Sequence, residues 1–177
     1  METLKQAHPF FFTTGIMDFD ASIHSIFLSY LVILGNKLRY ISIADYPIFD
    51  NVNAKILNQE RALRPDSVWF DYSNMNVAAI FEFERSNPYQ PEKLRKKLLN
   101  LAICKKHIGN DDTITILMYW QLVGEDVDLK SLKSIIGREI NDNGFLIEIP
   151  KNIIIFKVLF KKHNNKLILV EMVKMTK

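Results

Sequence analysis

Two strand-like runs separated by a short polar break constrain this sequence more than any other feature. Residues 67–72 (SVWFDY) and 77–85 (VAAIFEFER) are rich in β-branched and aromatic residues, and residues 73–76 (SNMN) are typical of a turn. The pattern predicts a β-hairpin centred on Asn74. Its second strand carries two carboxylates, Glu82 and Glu84, in an otherwise apolar run. A buried carboxylate is costly unless it is paired or holds a metal, so these positions need a physical reason.

The hairpin predicts which side chains share a face. The expected cross-strand pairs are Phe70 with Ala78, Val68 with Ile80, and Asp66 with Glu82. Directly opposed residues point to the same side of a sheet, and side chains alternate along a strand. We therefore expect Asp66, Glu82 and Glu84 to converge on one face at one end of the hairpin. A slip of one residue would separate Asp66 from both glutamates.

Three converging carboxylates predict a metal site. They repel one another and raise one another's pKa values unless a cation lies among them. Ligands that are all oxygen select a hard ion, Mg²⁺ or Mn²⁺, and such a site suits phosphodiester hydrolysis. Two alternatives remain open. Asp66 can be only a turn residue after Pro65, and the two glutamates can be the solvated face of an edge strand paired with lysines.

The rest of the sequence alternates predicted helices and strands. Asp20 is a candidate N-cap for a helix over residues 21–34 that ends at Gly35-Asn36, and Pro91 opens a helix over 91–107. The other predicted elements are a short helix near 54–60, a helix from 128 to about 140, and strands at 37–43, 113–120, 145–149, 153–160 and 167–173. We expect one α/β domain over residues 1–177, with helices on both faces of a mixed sheet.

Cationic side chains concentrate after the carboxylates. The net charge of the 177-residue chain is only +3, but residues 91–110 hold six basic side chains against one acidic, and residues 151–177 hold seven lysines against one glutamate. These segments suit a polyanion such as nucleic acid, or they simply solvate a helix face and a sheet edge. The lysine-rich C-terminal strands can supply either a dimer contact or the edge (rim) of a DNA-binding surface.

Four features together resemble the PD-(D/E)xK nuclease superfamily, which has the restriction-endonuclease-like fold. They are Pro65-Asp66, the Glu82-Phe83-Glu84 run after the hairpin, the basic helix, and the strand TITILMYW. The resemblance covers residues 64 to about 120. It implies an α-β-β-β-α-β core over about 21–120, beginning with the helix at 21–34, and a C-terminal α+β extension over about 121–177. It also implies that Asp66 and Glu82 bind the metal, with the main-chain carbonyl of Phe83 as a further ligand.

The sequence departs from the superfamily at Glu84, where most members have lysine. Some restriction enzymes of the superfamily have glutamate there and remain active, using it on the metal or its water, whereas other members have lost activity. A replacement cation is expected from the following helix, first Lys93 and then Lys96 or Lys97. The predicted catalytic residues are Asp66, Glu82, Glu84 and Lys93. The predicted metal ligands are Asp66, Glu82, the Phe83 carbonyl and Glu84, and the predicted nucleic-acid contacts are Lys93, Arg95, Lys96 and Lys97.

These features predict a Mg²⁺-dependent deoxyribonuclease, with Mn²⁺ as a possible substitute, in which metal-bound water attacks phosphorus. One alternative is a non-catalytic subunit of the same fold that binds nucleic acid or a partner protein. A second is an unrelated α/β interaction protein with both glutamates on its surface. We expect a cytoplasmic protein, because a single cysteine fits a reducing compartment and no secretory signal pattern opens the sequence. We also expect a protein that can form a homodimer and does not enter a membrane.

Overall fold

A seven-stranded mixed β-sheet forms the centre of the fold in the computed structural model, which describes residues 1–17, 20–48, 63–142 and 144–176. The helices are α1 (Glu2–Ala7), a 3-10 helix (Pro9–Phe11), α2 (Asp20–Lys37), α3 (Pro91–Ile108) and α4 (Lys130–Ile135). The strands are β1 (Ile16–Met17), β2 (Tyr40–Ala44), β3 (Ser67–Asp71), β4 (Val77–Arg85), β5 (Ile114–Leu122), β6 (Glu139–Asp142), β7 (Phe145–Glu148), β8 (Ile153–His163) and β9 (Lys166–Lys174). The predicted mixed α/β class is confirmed. None of the helices in the described ranges combines the length and the hydropathy of a membrane span.

The strands of the main sheet lie in the order β1-β9-β8-β5-β4-β3-β2. From β2 to β4 each strand is antiparallel to its neighbour, and β4 is parallel to β5. The parallel pairing continues from β5 to β8, after which β9 and β1 are antiparallel additions. A parallel pair needs a crossover connection, and α3 provides it between β4 and β5. Strands β6 and β7 form a separate two-stranded sheet.

Helices cover both faces of the main sheet. On one face, the buried leucines of α3 pack against Val68, Ile80 and Leu117 from β3, β4 and β5. On the other face, α2 packs against the alternate residues of the same strands, and Phe27 stacks on Phe83 at 4.3 Å between ring centroids. Because side chains alternate along β4, Glu82 and Glu84 belong to the face covered by α3. We call this the α3 face.

The β3–β4 hairpin follows the predicted pairing at one end only. Val68 pairs with Ile80, as predicted. Near the turn, Phe70 pairs with Val77, so the predicted pairing of Phe70 with Ala78 is wrong. A shift between these two pairs leaves Ala78 as an extra residue in β4, which is a β-bulge.

Hydrogen bonds of the turn explain this shift. The carboxylate of Asp71 accepts a hydrogen bond from the backbone N–H of Ser73 at 2.7 Å, and the N–H of Asp71 donates to the carbonyl of Asn76 at 2.8 Å. Met75 has a left-handed backbone (φ +59°) between them. The turn therefore closes between Asp71 and Asn76, and the bulge restores the predicted register further along the strands.

Gly35 does not end α2, contrary to the prediction from sequence. The helix continues to Lys37, and the left-handed residue Arg39 (φ +64°) follows it. A Cβ atom at position 35 would lie 2.6 Å from the Cβ of Ser42 and 3.0 Å from the Trp69 ring. Glycine at this position therefore allows close packing of α2 on β2 and β3. Gly35, which was predicted to end the helix, has a packing role instead.

The C-terminal part departs furthest from the predicted elements. The helix expected from 128 to about 140 is only six residues long, α4, because Gly137 takes a left-handed backbone (φ +74°) and the chain enters β6 at Glu139. The other predicted strands are found with small changes at their ends. Asn164 and Asn165 form a tight turn between β8 and β9, with φ of +48° and +58°. The short helix predicted near 54–60 lies outside the described residues.

Candidate functional site

The β3–β4 pairing brings Asp66 and Glu82 together at one end of the sheet. Asp66 directly precedes β3, and its neighbour Ser67 pairs with Phe81 of β4. The Oδ2 atom of Asp66 accepts a hydrogen bond from the backbone N–H of Phe83 at 2.6 Å. Only 4% of the Asp66 surface and none of the Glu82 surface is exposed. The predicted juxtaposition of these two carboxylates is therefore present, and both are buried.

A single ammonium group contacts both carboxylates. The Nζ atom of Lys97 lies 2.6 Å from Glu82 Oε2 and 3.2 Å from Asp66 Oδ2. Lys97 reaches them because it lies between Leu94 and Leu101 on the side of α3 that faces the sheet. From sequence, Lys97 is expected on a polar face of this helix with Lys93, Lys96 and Asn100, away from the leucine stripe, and for Lys97 this expectation is wrong. We call Asp66, Glu82 and Lys97 the carboxylate–lysine cluster.

Asn100 holds the second oxygen of Glu82. Its side-chain amide Nδ2 donates a short hydrogen bond to Glu82 Oε1, and its Oδ1 atom accepts one from the Cys104 thiol at 3.7 Å. Asn100 and Cys104 are buried. Lys97, Asn100 and Cys104 follow one another at helical spacings of three and four residues. The available sequence signal was this line of polar residues beside the leucines of the helix, and the prediction from sequence did not include Asn100 or Cys104 in the site.

His24 of α2 approaches the cluster from the opposite face of the sheet. Its Nε2 atom lies 3.2 Å from Asp66 Oδ1, and its side chain is 37% exposed. The ring also lies 6.1 Å from the ring of Phe83. From sequence, His24 is expected to have only a surface or core role. The packing of α2 against β4 places it beside Asp66 instead. Its position three residues before Phe27, on the sheet-facing side of α2, was the available signal.

Glu84 has different partners from the other two carboxylates. Its Oε1 atom accepts a hydrogen bond from the backbone N–H of Arg85 at 3.0 Å and lies 4.0 Å from the Nζ atom of Lys93. The first-ranked replacement cation, Lys93, thus pairs with Glu84, whereas the third-ranked candidate, Lys97, contacts Asp66 and Glu82. The predicted convergence of Asp66, Glu82 and Glu84 on one point is therefore absent from the described part of the chain.

The other predicted nucleic-acid contacts differ in their surroundings. Arg95 donates a hydrogen bond to Asp142 of β6 at 2.8 Å and lies 3.9 Å from Glu92. It therefore ties α3 to the β6–β7 hairpin. Lys96 is exposed on α3. Of the four cations predicted to contact nucleic acid, Lys96 is exposed, whereas Lys93, Arg95 and Lys97 each approach a carboxylate.

Burial and charge act differently on the two carboxylates. Burial raises the pKa of Asp66, but the hydrogen bond from His24 and the charge of Lys97 outweigh it, and the pKa falls to about 2. Burial, and then the charge of Asp66, raises the pKa of Glu82. Burial also lowers the pKa of Lys97, but the charges of the two carboxylates reverse this and raise it. Lys97 therefore stays charged at neutral pH, and Glu82 takes up a proton before Asp66 as pH falls.

The described residues contain no group of three or more His, Cys, Asp or Glu side chains arranged to hold a metal ion. The oxygen donors that do lie together are the carboxylates of Asp66 and Glu82. Both are hard ligands of the kind that Mg²⁺ and Mn²⁺ prefer. In the structure, the ammonium of Lys97 supplies the positive charge between them.

We expect the pKa of His24 to lie above 6.5 in the folded protein and to fall in Asp66→Asn, because the hydrogen bond to the Asp66 carboxylate raises it. A folded-state pKa above the unfolded value means that the pair stabilises the fold fully below pH 6.5. This contribution disappears as pH rises through the folded value. NMR titration of the histidine ring protons measures the pKa directly.

The matched control for this titration is Asp71→Asn, which removes a half-buried carboxylate at the other end of β3. That variant should leave the pKa of His24 unmoved. An equal pKa of His24 in wild type and in Asp66→Asn would contradict the contact between these two side chains.

Comparisons with known proteins leave the site to be interpreted from its own geometry. No protein-family model matches the chain, and neither the curated proteins nor the solved structures searched contain a significant match.

Proposed function

We propose that this protein is a metal-dependent nuclease that hydrolyses phosphodiester bonds of DNA at the carboxylate–lysine cluster. The observation that carries the proposal is the contact of one ammonium, that of Lys97, with two buried carboxylates at 2.6 and 3.2 Å. Buried charges are costly and usually reflect pairing or function, and perturbed carboxylates at the end of a sheet are typical of functional sites. An aspartate, a glutamate and a lysine in contact are also the residue types of the PD-(D/E)xK motif that the sequence resembles.

The topology around the cluster supports the same proposal. Among the described residues, which omit 49–62 between β2 and β3, the elements come in the order α2, β2, β3, β4, α3 and β5. Their pairing is antiparallel, antiparallel and then parallel. This is the α-β-β-β-α-β arrangement that the resemblance implies for a restriction-endonuclease-like core. In this proposal α3, and not β4, carries the lysine of the motif.

The donor set of the cluster fits a hard divalent ion. Asp66 and Glu82 would hold it, with the main-chain carbonyl of Phe83 as the further ligand that the resemblance implies. Glu84 remains a candidate ligand only if it leaves its contacts with Arg85 and Lys93. When bound, Mg²⁺ supplies a Lewis acid that polarises a phosphoryl oxygen and lowers the pKa of water.

The chain's own residues have distinct roles in this proposal. Lys97 supplies a fixed positive charge beside the carboxylates, where negative charge develops on the phosphate during hydrolysis. Asn100 orients Glu82 through its hydrogen bond to Oε1, and the Phe83 N–H orients Asp66. Orientation of this kind keeps the two carboxylates in one geometry without cost at the moment of reaction.

A second candidate function is a non-catalytic nucleic-acid-binding or partner subunit of the same fold. The observation that favours it is the glutamate at position 84 of β4, where most of the superfamily has lysine. In the structure this glutamate lies 4.0 Å from the Nζ atom of Lys93. In that case the carboxylate–lysine cluster is a buried structural ion pair. This candidate predicts binding of nucleic acid without metal-dependent cleavage.

The proposal is tested with duplex DNA and the wild-type protein in Mg²⁺, Mn²⁺ or EDTA. We expect cleavage in Mg²⁺ or Mn²⁺ and none in EDTA. Glu82→Gln should reduce the cleavage rate on the order of 1000-fold, because it removes a ligand charge from the cluster. Cleavage products on denaturing gels measure the rate.

The matched control is Glu92→Gln, the same chemical change at a glutamate whose side chain is 72% exposed on α3. It should cleave at the wild-type rate. Equal cleavage by wild type and Glu82→Gln would remove the cluster from the mechanism. DNA binding without cleavage in any metal would favour the non-catalytic subunit.

A further inference from the structure

The β8–β9 hairpin carries a strip of lysines on the α3 face of the sheet. Side chains alternate along β8, so Lys157 and Lys161 point to the same face as Ile153 and Ile155, which pack in the α3-side core. Lys166 pairs directly with His163 and shares this face. Lys161 and Lys166 are exposed, and Lys157 is half-buried. We call Lys157, Lys161 and Lys166 the lysine strip.

The strip begins beside the candidate site. In the sheet, Glu84 of β4 lies level with Tyr119 of β5, and Tyr119 lies level with Lys157 of β8. Two strand spacings separate Glu84 from Lys157, which is about 10 Å. Lys161 lies four residues further along β8, or about 13 Å beyond Lys157. The strip therefore leads away from the carboxylate–lysine cluster along the same face.

The outer end of the strip projects past the neighbouring strands. Among the described residues, the pairing of β5 with β8 ends at Leu122 and Phe160, and the Val123 N–H donates a hydrogen bond to the Phe160 carbonyl at 2.8 Å. From Lys161 onward, the only strand that pairs with β8 among the described residues is β9. Here the α3 face is exposed at Lys161 and His163. A long molecule lying across the site can therefore reach this hairpin.

The charge of the strip selects the kind of partner. This face of the hairpin carries the three lysines of the strip and one acidic residue, Glu171, which pairs with Leu159. At the inner end, Lys157 also borders a cleft of about 360 Å³ that is lined by acidic and basic side chains, Asp126, Asp128, Lys130 and Lys133. A two-fold dimer through this face would bring the lysines of one copy against those of the other. A polyanion has the complementary charge.

We propose that the lysine strip binds the phosphate backbone of duplex DNA on one side of the site where the strand is cut. This inference rests on the proposed function for its choice of polyanion. Lysine binds phosphates as a point charge without reading sequence, so the strip positions the duplex and adds affinity for any sequence. The C-terminal extension is therefore part of the substrate-binding surface, in addition to α3.

The test compares two triple variants with the same change in net charge. The first variant, Lys157→Gln, Lys161→Gln and Lys166→Gln, removes the strip. The second, Lys37→Gln, Lys151→Gln and Lys174→Gln, removes three exposed lysines that lie outside both the strip and α3. Fluorescence anisotropy with a duplex of about 20 base pairs, in EDTA and over a series of salt concentrations, gives the dissociation constants and their salt dependence.

We expect the strip variant to bind more weakly than wild type and to have a shallower salt dependence. The plot of the logarithm of the binding constant against the logarithm of salt concentration has a negative slope. Its magnitude should decrease by about 2.7 in the strip variant, because each of the three phosphate contacts contributes about 0.9. The control variant should retain the wild-type slope within about 1. Equal slopes for the two variants, or no duplex binding by wild type, would overturn the proposal. The proposal would also be overturned if the strip variant bound vesicles of anionic lipid more weakly than wild type but bound duplex DNA equally well.

Binding in EDTA keeps this test separate from the proposed catalysis. If the strip variant loses affinity but the wild type cleaves no DNA in any metal, the binding surface stands and the nuclease proposal fails. If the wild type cleaves and the strip variant keeps full affinity, the nuclease proposal stands and the strip is not part of the DNA surface. Self-association of wild type through the strip, seen as dimer loss in the strip variant with unchanged DNA affinity, would also overturn the proposal.

Discussion

Replacing Lys97 with methionine should lower the free energy of unfolding at pH 7 by about 3 kcal/mol, because it breaks a buried ion pair by removing one partner. Asp66 and Glu82 would then lie together with no cation in contact with both, and each disfavours the charge of the other. Methionine has a similar volume and helix propensity, so the loss reports charge and not packing. Urea denaturation of the metal-free protein measures the effect.

Two further proteins make this result specific. Lys93→Met, four residues earlier on the same helix, removes a lysine whose side chain is 43% exposed and 4.0 Å from Glu84, and it should change the stability by less than about 1 kcal/mol. Adding Glu82→Gln to Lys97→Met should recover part of the lost stability, because one of the two repelling carboxylates becomes neutral. A stable Lys97→Met protein at pH 7, with no gain from the second change, would show that the cluster carries little charge.

Lys97→Arg should fold but cleave DNA about 100-fold or more slowly than wild type, because a positioned charge that stabilises the transition state is typically worth that much. Arginine keeps the positive charge between Asp66 and Glu82, so the stability loss of Lys97→Met is avoided. Its planar guanidinium is larger and cannot place a compact charge at the position of the ammonium. Single-turnover cleavage at saturating protein separates the chemical step from DNA binding.

The matched variant is Lys93→Arg, which tests the cation that the sequence analysis ranked first. It should cleave at nearly the wild-type rate, because Lys93 approaches only Glu84. A large loss in Lys93→Arg together with wild-type cleavage by Lys97→Arg would reverse the assignment and return the role to Lys93. Large losses in both would mean that Glu84 and Lys93 belong to the reacting site.

The sequence alone identified the two carboxylates that the fold brings together. Runs of β-branched and aromatic residues in 67–72 and 77–85, joined by a polar turn, predict a hairpin, and a shift of one residue would place Asp66 and the two glutamates on opposite faces. The pairing of Val68 with Ile80 follows from this pattern, and Asp66 then lies beside Glu82. The order of helix, three strands, helix and strand was likewise readable, because each element has its own periodicity and its own end signals.

Local signals were misleading where packing decided the outcome. Gly35 is a common helix-ending residue, but here it serves the close contact of α2 with Ser42 and Trp69. The helical pattern after Asp128 gave way to β6, because Gly137 turns the chain and β6 finds a partner in β7. Propensity is a weak prior, and tertiary contacts of this kind override it.

Only the tertiary structure decided which cation serves the carboxylates. From sequence, Lys93, Lys96 and Lys97 are equivalent members of one basic helix, and the nearest to Glu84 along the chain ranked first. The direction in which a helical side chain points depends on how the helix rotates to bury its leucines against β4 and β5, and this rotation turns Lys97 toward Glu82. His24 reaches Asp66 for the same reason, since only the packing of α2 across the sheet brings together residues 42 positions apart.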